Sequence, residues 1–138
     1  MTPVFVDTSF FVALLDQGDE FHEEAVHFLL HNTSPLLSTS AIVLELGAYF
    51  AQQQLRPGFL ASLDAINNTR IKIVHVDQAS LERAIEYFET RPDKDWSLAD
   101  RVSFLLMEDR QISETATSDR HFEQAGFIAL LRTLHKTN

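Results

Sequence analysis

The sequence predicts an α/β fold in which a short, mostly parallel sheet is covered by helices on both faces. Two observations predict it. Short apolar runs of strand length alternate with segments whose apolar residues recur at helical spacing, and that alternation implies right-handed crossovers. Gly and Pro number only four each, and they punctuate the chain rather than cluster, so no linker, repeat or low-complexity tract interrupts it. A length of 138 residues suits one domain, residues 1–138, with one core.

The elements follow in order. "VFV" at 4–6 reads as a buried strand, and 9–15 as a helix stopped near Gly18. Residues 20–31 carry Phe21, Ala25, Phe28 and Leu29 at helical spacing, and "HNTSP" breaks them. A brief strand at 36–38 leads into a long helix over 40–54, ended by "RPG", and a short helix over 59–67. "IKIVHV" from Ile71 alternates as a strand does. Residues 78–90 form a helix with Leu81, Ala84, Ile85 and Phe88 on one face, "RPDKD" breaks it, and 97–109 is helical again. Residues 115–118 and 127–130 complete the sheet.

Composition excludes several classes. No Cys is present, which removes disulfides, iron–sulfur clusters and thiolate zinc sites. The longest apolar run, Phe10 to Leu15, has six residues, far short of a membrane span. The N-terminus shows no basic region followed by an apolar stretch, so the expectation is a cytoplasmic protein without a membrane partner. Eleven Lys and Arg against twenty Asp and Glu give −9, which argues against an ordinary basic nucleic-acid binder. Divalent cations between an acidic protein and a phosphodiester remove that objection. With four acids in a metal site, the rest of the chain carries −5.

Four of the acids stand apart. Asp7 and Asp119 each follow a predicted strand, which places both at the carboxyl rim where open parallel sheets bind ligands. Glu45 has Ala41, Ile42, Ala48 and Tyr49 one turn away, and Asp100 has Trp96, Ser97, Ser103 and Phe104. Periodicity thus predicts burial for both, and a buried charge must be paired or bound to metal. Each acid alone has an ordinary reading: Asp7 as a helix cap, Asp100 as a salt-bridge partner of Arg101 or Arg83. Four carboxylates sharing one rim would repel, and hard divalent cations resolve that repulsion.

The segments "FVDTSFFVALL", "SAIVLELGAYF", "DWSLADRVSF" and "ATSDRHFEQAGF" resemble the four signature segments of PIN-domain ribonucleases. Among these the chain is most similar to the VapC-like toxins of toxin–antitoxin pairs. The resemblance implies a PIN-like three-layer sandwich with metal ligation by Asp7, Glu45, Asp100 and Asp119. The implied activity is Mg2+- or Mn2+-dependent hydrolysis of an RNA phosphodiester, and the implied partners are RNA, a second copy and a small antitoxin. Surplus apolar surface on the 40–54 helix (Ile42, Val43, Leu44, Leu46, Tyr49, Phe50) and at Phe10 and Phe11 points to a homodimer in its own right.

Around the four acids several readings stay open. Ser9 either supports a metal-bound water or phosphate oxygen or caps the first helix, and Ser118 offers a hydroxyl beside the last acid. Asp95 is an outer metal ligand, a helix cap or a solvated loop acid. Arg101, Arg120 and Lys94 flank the acids and either contact RNA phosphates or pair nearby carboxylates. His27 and His31, with Glu23, have zinc-ligand spacing, yet no third-ligand motif accompanies them. A haloacid-dehalogenase-like phosphatase would want a second Asp at position 9, and a receiver domain a Lys after a late strand. Two rivals keep the fold: a catalytically idle protein-binding module, and an RNA-processing nuclease that is no toxin.

Overall fold

The computed structural model describes residues 1–137. Five strands form one sheet in the order β3-β2-β1-β4-β5, every neighbour parallel. They are β1 (Val4–Val6), β2 (Leu36–Thr39), β3 (Lys72–Val74), β4 (Glu114–Ala116) and β5 (Ile128–Ala129). β1 is central and wholly buried, as its unbroken apolar run requires in a sheet covered on both sides. Its register sets Val4 beside Leu36 and Phe5 between Leu37 and Thr115.

The helices are α1 (Thr8–Leu15), α2 (His22–His31), α3 (Ser40–Tyr49), α4 (Arg56–Asn68), α5 (Gln78–Thr90), α6 (Leu98–Asp109), α7 (Arg120–Gln124) and α8 (Leu130–Thr137). From β1 the chain steps to β2 and β3 in one direction, then crosses to β4 and β5 in the other. Right-handed crossovers therefore put α1 to α4 and α5 to α7 on opposite faces. The packing agrees: α1 meets α2 and α4, while α6 meets α5 and α7. α8 returns to α2, and α3 reaches α6 across the top. The strand order changes direction between β1 and β4, which is where such sheets open a crevice at their carboxyl ends.

Phenylalanine dominates the core. Phe5, Phe10, Phe11, Phe104 and Phe122 are at most 1 % exposed. Tyr87, Trp96, Phe104, Phe122 and Phe5 form a chain of ring contacts from α5 through the second layer to the central strand. Among the described residues no helix is long and apolar enough to cross a membrane.

Several expected boundaries move. The 40–54 helix stops at Tyr49, a short 3₁₀ turn spans Gln53–Leu55, and "RPG" opens α4 instead of separating two helices. Proline in a first turn forfeits no hydrogen bond. Gly58 is required there because a Cβ would collide with the Phe50 ring. Phe10 and Phe11, expected on an exposed patch, are core residues. The third strand is shorter than "IKIVHV", and α7 and α8 were not anticipated.

Candidate active site

Each of the four acids reaches the rim by its own local device. β1 ends at Val6, and Asp7 becomes the N-cap of α1, accepting the Ser9 N–H at 3.4 Å and the Ser9 hydroxyl at 3.0 Å. Capping and site membership are thus one position. Thr8 Oγ1 donates to Glu45 Oε1 at 2.7 Å, aiming α3's acid at the same rim. Asp100 sits in a capping box: Ser97 Oγ accepts its N–H at 2.9 Å, and its own Oδ2 accepts the Ser97 N–H at 3.0 Å. Asp119 caps α7 by accepting the His121 N–H at 2.8 Å. Three helix N-termini therefore converge here, each favouring negative charge.

Asp7, Glu45, Asp100 and Asp119 line one cleft of ≈ 260 Å³ together with Thr8, Ser9, Val12, Asp19 and Tyr49. Among the described residues no Lys or Arg lines it. Its electrostatics follow. Burial pushes the Asp7 carboxyl up to about 7; the Thr117 hydrogen bond opposes this, while Glu45 and Asp100 add to it. Glu45 is raised too, first by burial and then by Asp100 and Asp119, against the bond from Thr8. An all-oxygen donor set with mutual repulsion fits a hard divalent cation.

Thr117 escaped the sequence reading, although it lies only two residues before Asp119. Its hydroxyl donates to Asp7 Oδ2 at 2.8 Å, contacts Ser9 Oγ at 2.8 Å and accepts the Asp119 N–H at 3.0 Å. Ser118 contributes its backbone instead: its N–H bonds Ser9 Oγ at 3.0 Å and its carbonyl accepts from Arg132 at 3.1 Å. Asp19, from the polar loop after α1, is a fifth cleft carboxylate that no apolar context singled out. His121 is a further addition, with Nδ1 3.0 Å from Asp100 Oδ2.

Other candidates lie elsewhere. Asp95 is exposed and outside the cleft lining, and Ser97 is the cap of α6. Lys94 rests its ammonium 5.7 Å from the centre of the Trp96 ring. Arg120 is exposed at the first turn of α7. Arg101 is 1 % exposed, and its guanidinium bonds the carbonyls of Trp96, Tyr87, Arg91 and Lys94. Burial removes it from contact with RNA. Arg83 pairs with Asp109 rather than Asp100. His27 and His31 stack on the exposed side of α2, away from any group of three potential ligands among the described residues.

Comparison with known proteins matches the fold and the sequence as a whole. The chain is 31% identical over 128 residues to the 23S rRNA-specific endonuclease VapC20 of Mycobacterium tuberculosis, in strains CDC 1551 / Oshkosh and H37Rv, covering 91% of this chain and 95% of the relative. The crystal structure of Mycobacterium tuberculosis VapC20, a sarcin-ricin loop cleaving toxin, superposes with a TM-score of 0.82 at 24% identity, covering 91% of this chain and 96% of that one. The PIN domain model matches residues 4–128. The chain belongs to the PIN domain family.

Proposed function

We propose that this chain is a metal-dependent endoribonuclease, the toxin of a toxin–antitoxin pair, acting in the cytoplasm on RNA. One observation carries the proposal: four carboxylates from four separate elements meet in a cleft that no Lys or Arg among the described residues lines. In this reading Asp7, Glu45, Asp100 and Asp119 hold Mg2+ or Mn2+. Bound there, the ion supplies Lewis acidity toward a water and a phosphodiester oxygen.

The chain's own residues do the positioning. Thr117 and Ser9 fix Asp7, and Thr8 fixes Glu45. The Ser97 capping box fixes Asp100. In the same reading exposed Arg120, one residue from Asp119, contacts an RNA phosphate. No side-chain nucleophile is needed, because water attacks. A homodimer and a small antitoxin complete the proposed assembly.

The named activity of the relative makes a sarcin–ricin-loop RNA the first substrate to try. Purified protein should cut it with Mn2+ or Mg2+, stop in chelator, and lose activity as Asp7→Asn or Asp100→Asn. Intact RNA across a metal series, or an Asp100→Asn variant as fast as the parent, would overturn the mechanism. In that case the idle binding module, the other reading of this fold, gains ground.

A further inference from the structure

One member of the acid cluster is not an acid. His121 Nδ1 and carboxylate oxygens of Asp100 and Asp119 all lie within 4.8 Å of one another, the one such group among the described residues. Nδ1 stands 3.0 Å from Asp100 Oδ2 and 3.6 Å from Asp119 Oδ1. Around an octahedral ion with bonds of about 2.1 Å, adjacent ligand atoms stand about 3 Å apart and opposite ones about 4.2 Å. The first matches adjacent ligands, and the second falls between the two separations, short enough for one ion to reach both atoms. Local structure holds the ring there. Its N–H is tied to the Asp119 cap, and the next residue, Phe122, is 0 % exposed in the core and locks the register of α7. The side chain itself is 33% exposed, so the ring is reachable by solvent and ions.

Resting on the metal-dependent reading above, we propose that His121 is a ligand of the site's divalent ion and makes the site favour Mn2+ over Mg2+. Without metal, Nδ1–H donates to Asp100 Oδ2. As a ligand, the neutral ring keeps its hydrogen on Nε2 and presents the Nδ1 lone pair. Mg2+ takes oxygen ligands and retains its waters. Mn2+ shares its carboxylate and water ligands, but as a d-block ion at the start of the Irving–Williams order it gains more from an imidazole nitrogen than Mg2+ does. A nitrogen among the carboxylates therefore shifts the preference toward Mn2+.

The test is pulsed electron paramagnetic resonance of Mn2+ bound to the full chain, prepared with natural-abundance and with 15N-labelled histidine. The parent should show nitrogen coupling that changes isotope with the label, and His121→Ala should lose it. By calorimetry, His121→Ala should weaken Mn2+ by at least the ~10-fold that even an outer partner of a metal site is worth. Mg2+ affinity, read by competition, should stay within about threefold, since that ion takes oxygen. His27→Ala should change neither. Mn2+ bound to the parent without nitrogen coupling overturns the proposal and leaves the four-acid nuclease standing: His121 would then only orient Asp100. No Mn2+ binding at millimolar concentration overturns both. The parent's spectrum decides even if the variant fails to fold.

Discussion

At Asp7 the hydrogen bonds and the burial pull in opposite directions. Thr117 and Ser9 favour the charged carboxylate, yet burial and the neighbouring acids win, lifting its pKa from the ordinary 3.8 to about 7. The folded protein therefore holds a proton that the unfolded chain has released. Asp7 costs nothing at pH 3, costs stability progressively as pH rises from 4 to 7, and costs most above that. The full penalty is about 4 kcal/mol at ~1.36 kcal/mol per pH unit. In chelator at pH 8, Asp7→Asn keeps the cap but not the charge, and should melt at least about 3 °C higher than the parent, the shift that 1 kcal/mol gives a domain of this size. At pH 4 the two should melt alike. A lower melting point for Asp7→Asn at pH 8 would make Asp7 a structural cap alone. Thr117→Val, at the same place, should move the other way. It strips Asp7 of its 2.8 Å donor and leaves the Asp119 N–H without its acceptor. A loss of about 1–2 kcal/mol at both pH values, with Mn2+ binding weakened, is the expected result in thermal melts and calorimetry. Unchanged stability would show that the Asp7–Thr117 bond does not hold the rim together.

Arg101 shows what an element does to a residue that periodicity alone misreads. On α6, one position after a site acid, it looks like a surface cation. Instead the 91–96 loop folds over it, and the guanidinium bridges the end of α5 and that loop through four carbonyls while lying against Tyr87, Phe88 and Trp96. Arg101→Met should leave those acceptors bare and lower stability by about 3 kcal/mol or more, and Arg101→Lys should not rescue it, since an ammonium lacks the planar fork. The exposed Arg83–Asp109 pair is the control: Arg83→Met should cost less than about 1 kcal/mol. Equal losses in denaturant titrations would sink the assignment. The same contrast marks what the sequence disclosed. Strands, most helices and the meeting of four acids were legible, because isolated carboxylates in apolar segments must be explained wherever they occur. Asp19 was hidden among the polar residues of "DQGDE". Thr117 looked like part of a strand, and α8 begins at Leu130, the last residue of the expected 127–130 strand, which hid its start. Yet α8 holds the site loop, with Arg132 on the Ser118 carbonyl and the Leu131 N–H on that of Thr117 at 3.3 Å. Such long-range hydrogen bonds leave no periodic trace.

For the whole molecule the unresolved quantity is apolar surface in a chain of net charge −9. With Phe10, Phe11, Ile42, Leu46 and Phe50 buried, the exposed apolar side chains include Leu44 at 76% on α3 and Leu81, Ile85 and Phe88 at 41%, 41% and 51% on α5. Leu44 and Leu81 line a largely apolar groove of ≈ 510 Å³ between α3, α5 and α6, and Glu45 lines both that groove and the acid cleft. A stable dimer needs about 800 Å² from each partner, roughly a tenth of this chain's 7993 Å², which two exposed helical faces can supply. Mutual repulsion of two acidic chains opposes association, so burial of these leucines must outweigh it and added salt should strengthen the dimer by screening. The parent should therefore scatter light as a dimer at micromolar concentration, with a melting point that rises with protein concentration because association stabilises only the folded state. Leu44→Asp combined with Leu81→Asp places four new charges in the interface of the pair. That variant should be monomeric, with a melting point independent of concentration and an unchanged far-ultraviolet circular dichroism spectrum. A parent that is monomeric and melts at one temperature across a hundredfold concentration range would assign this face to another partner.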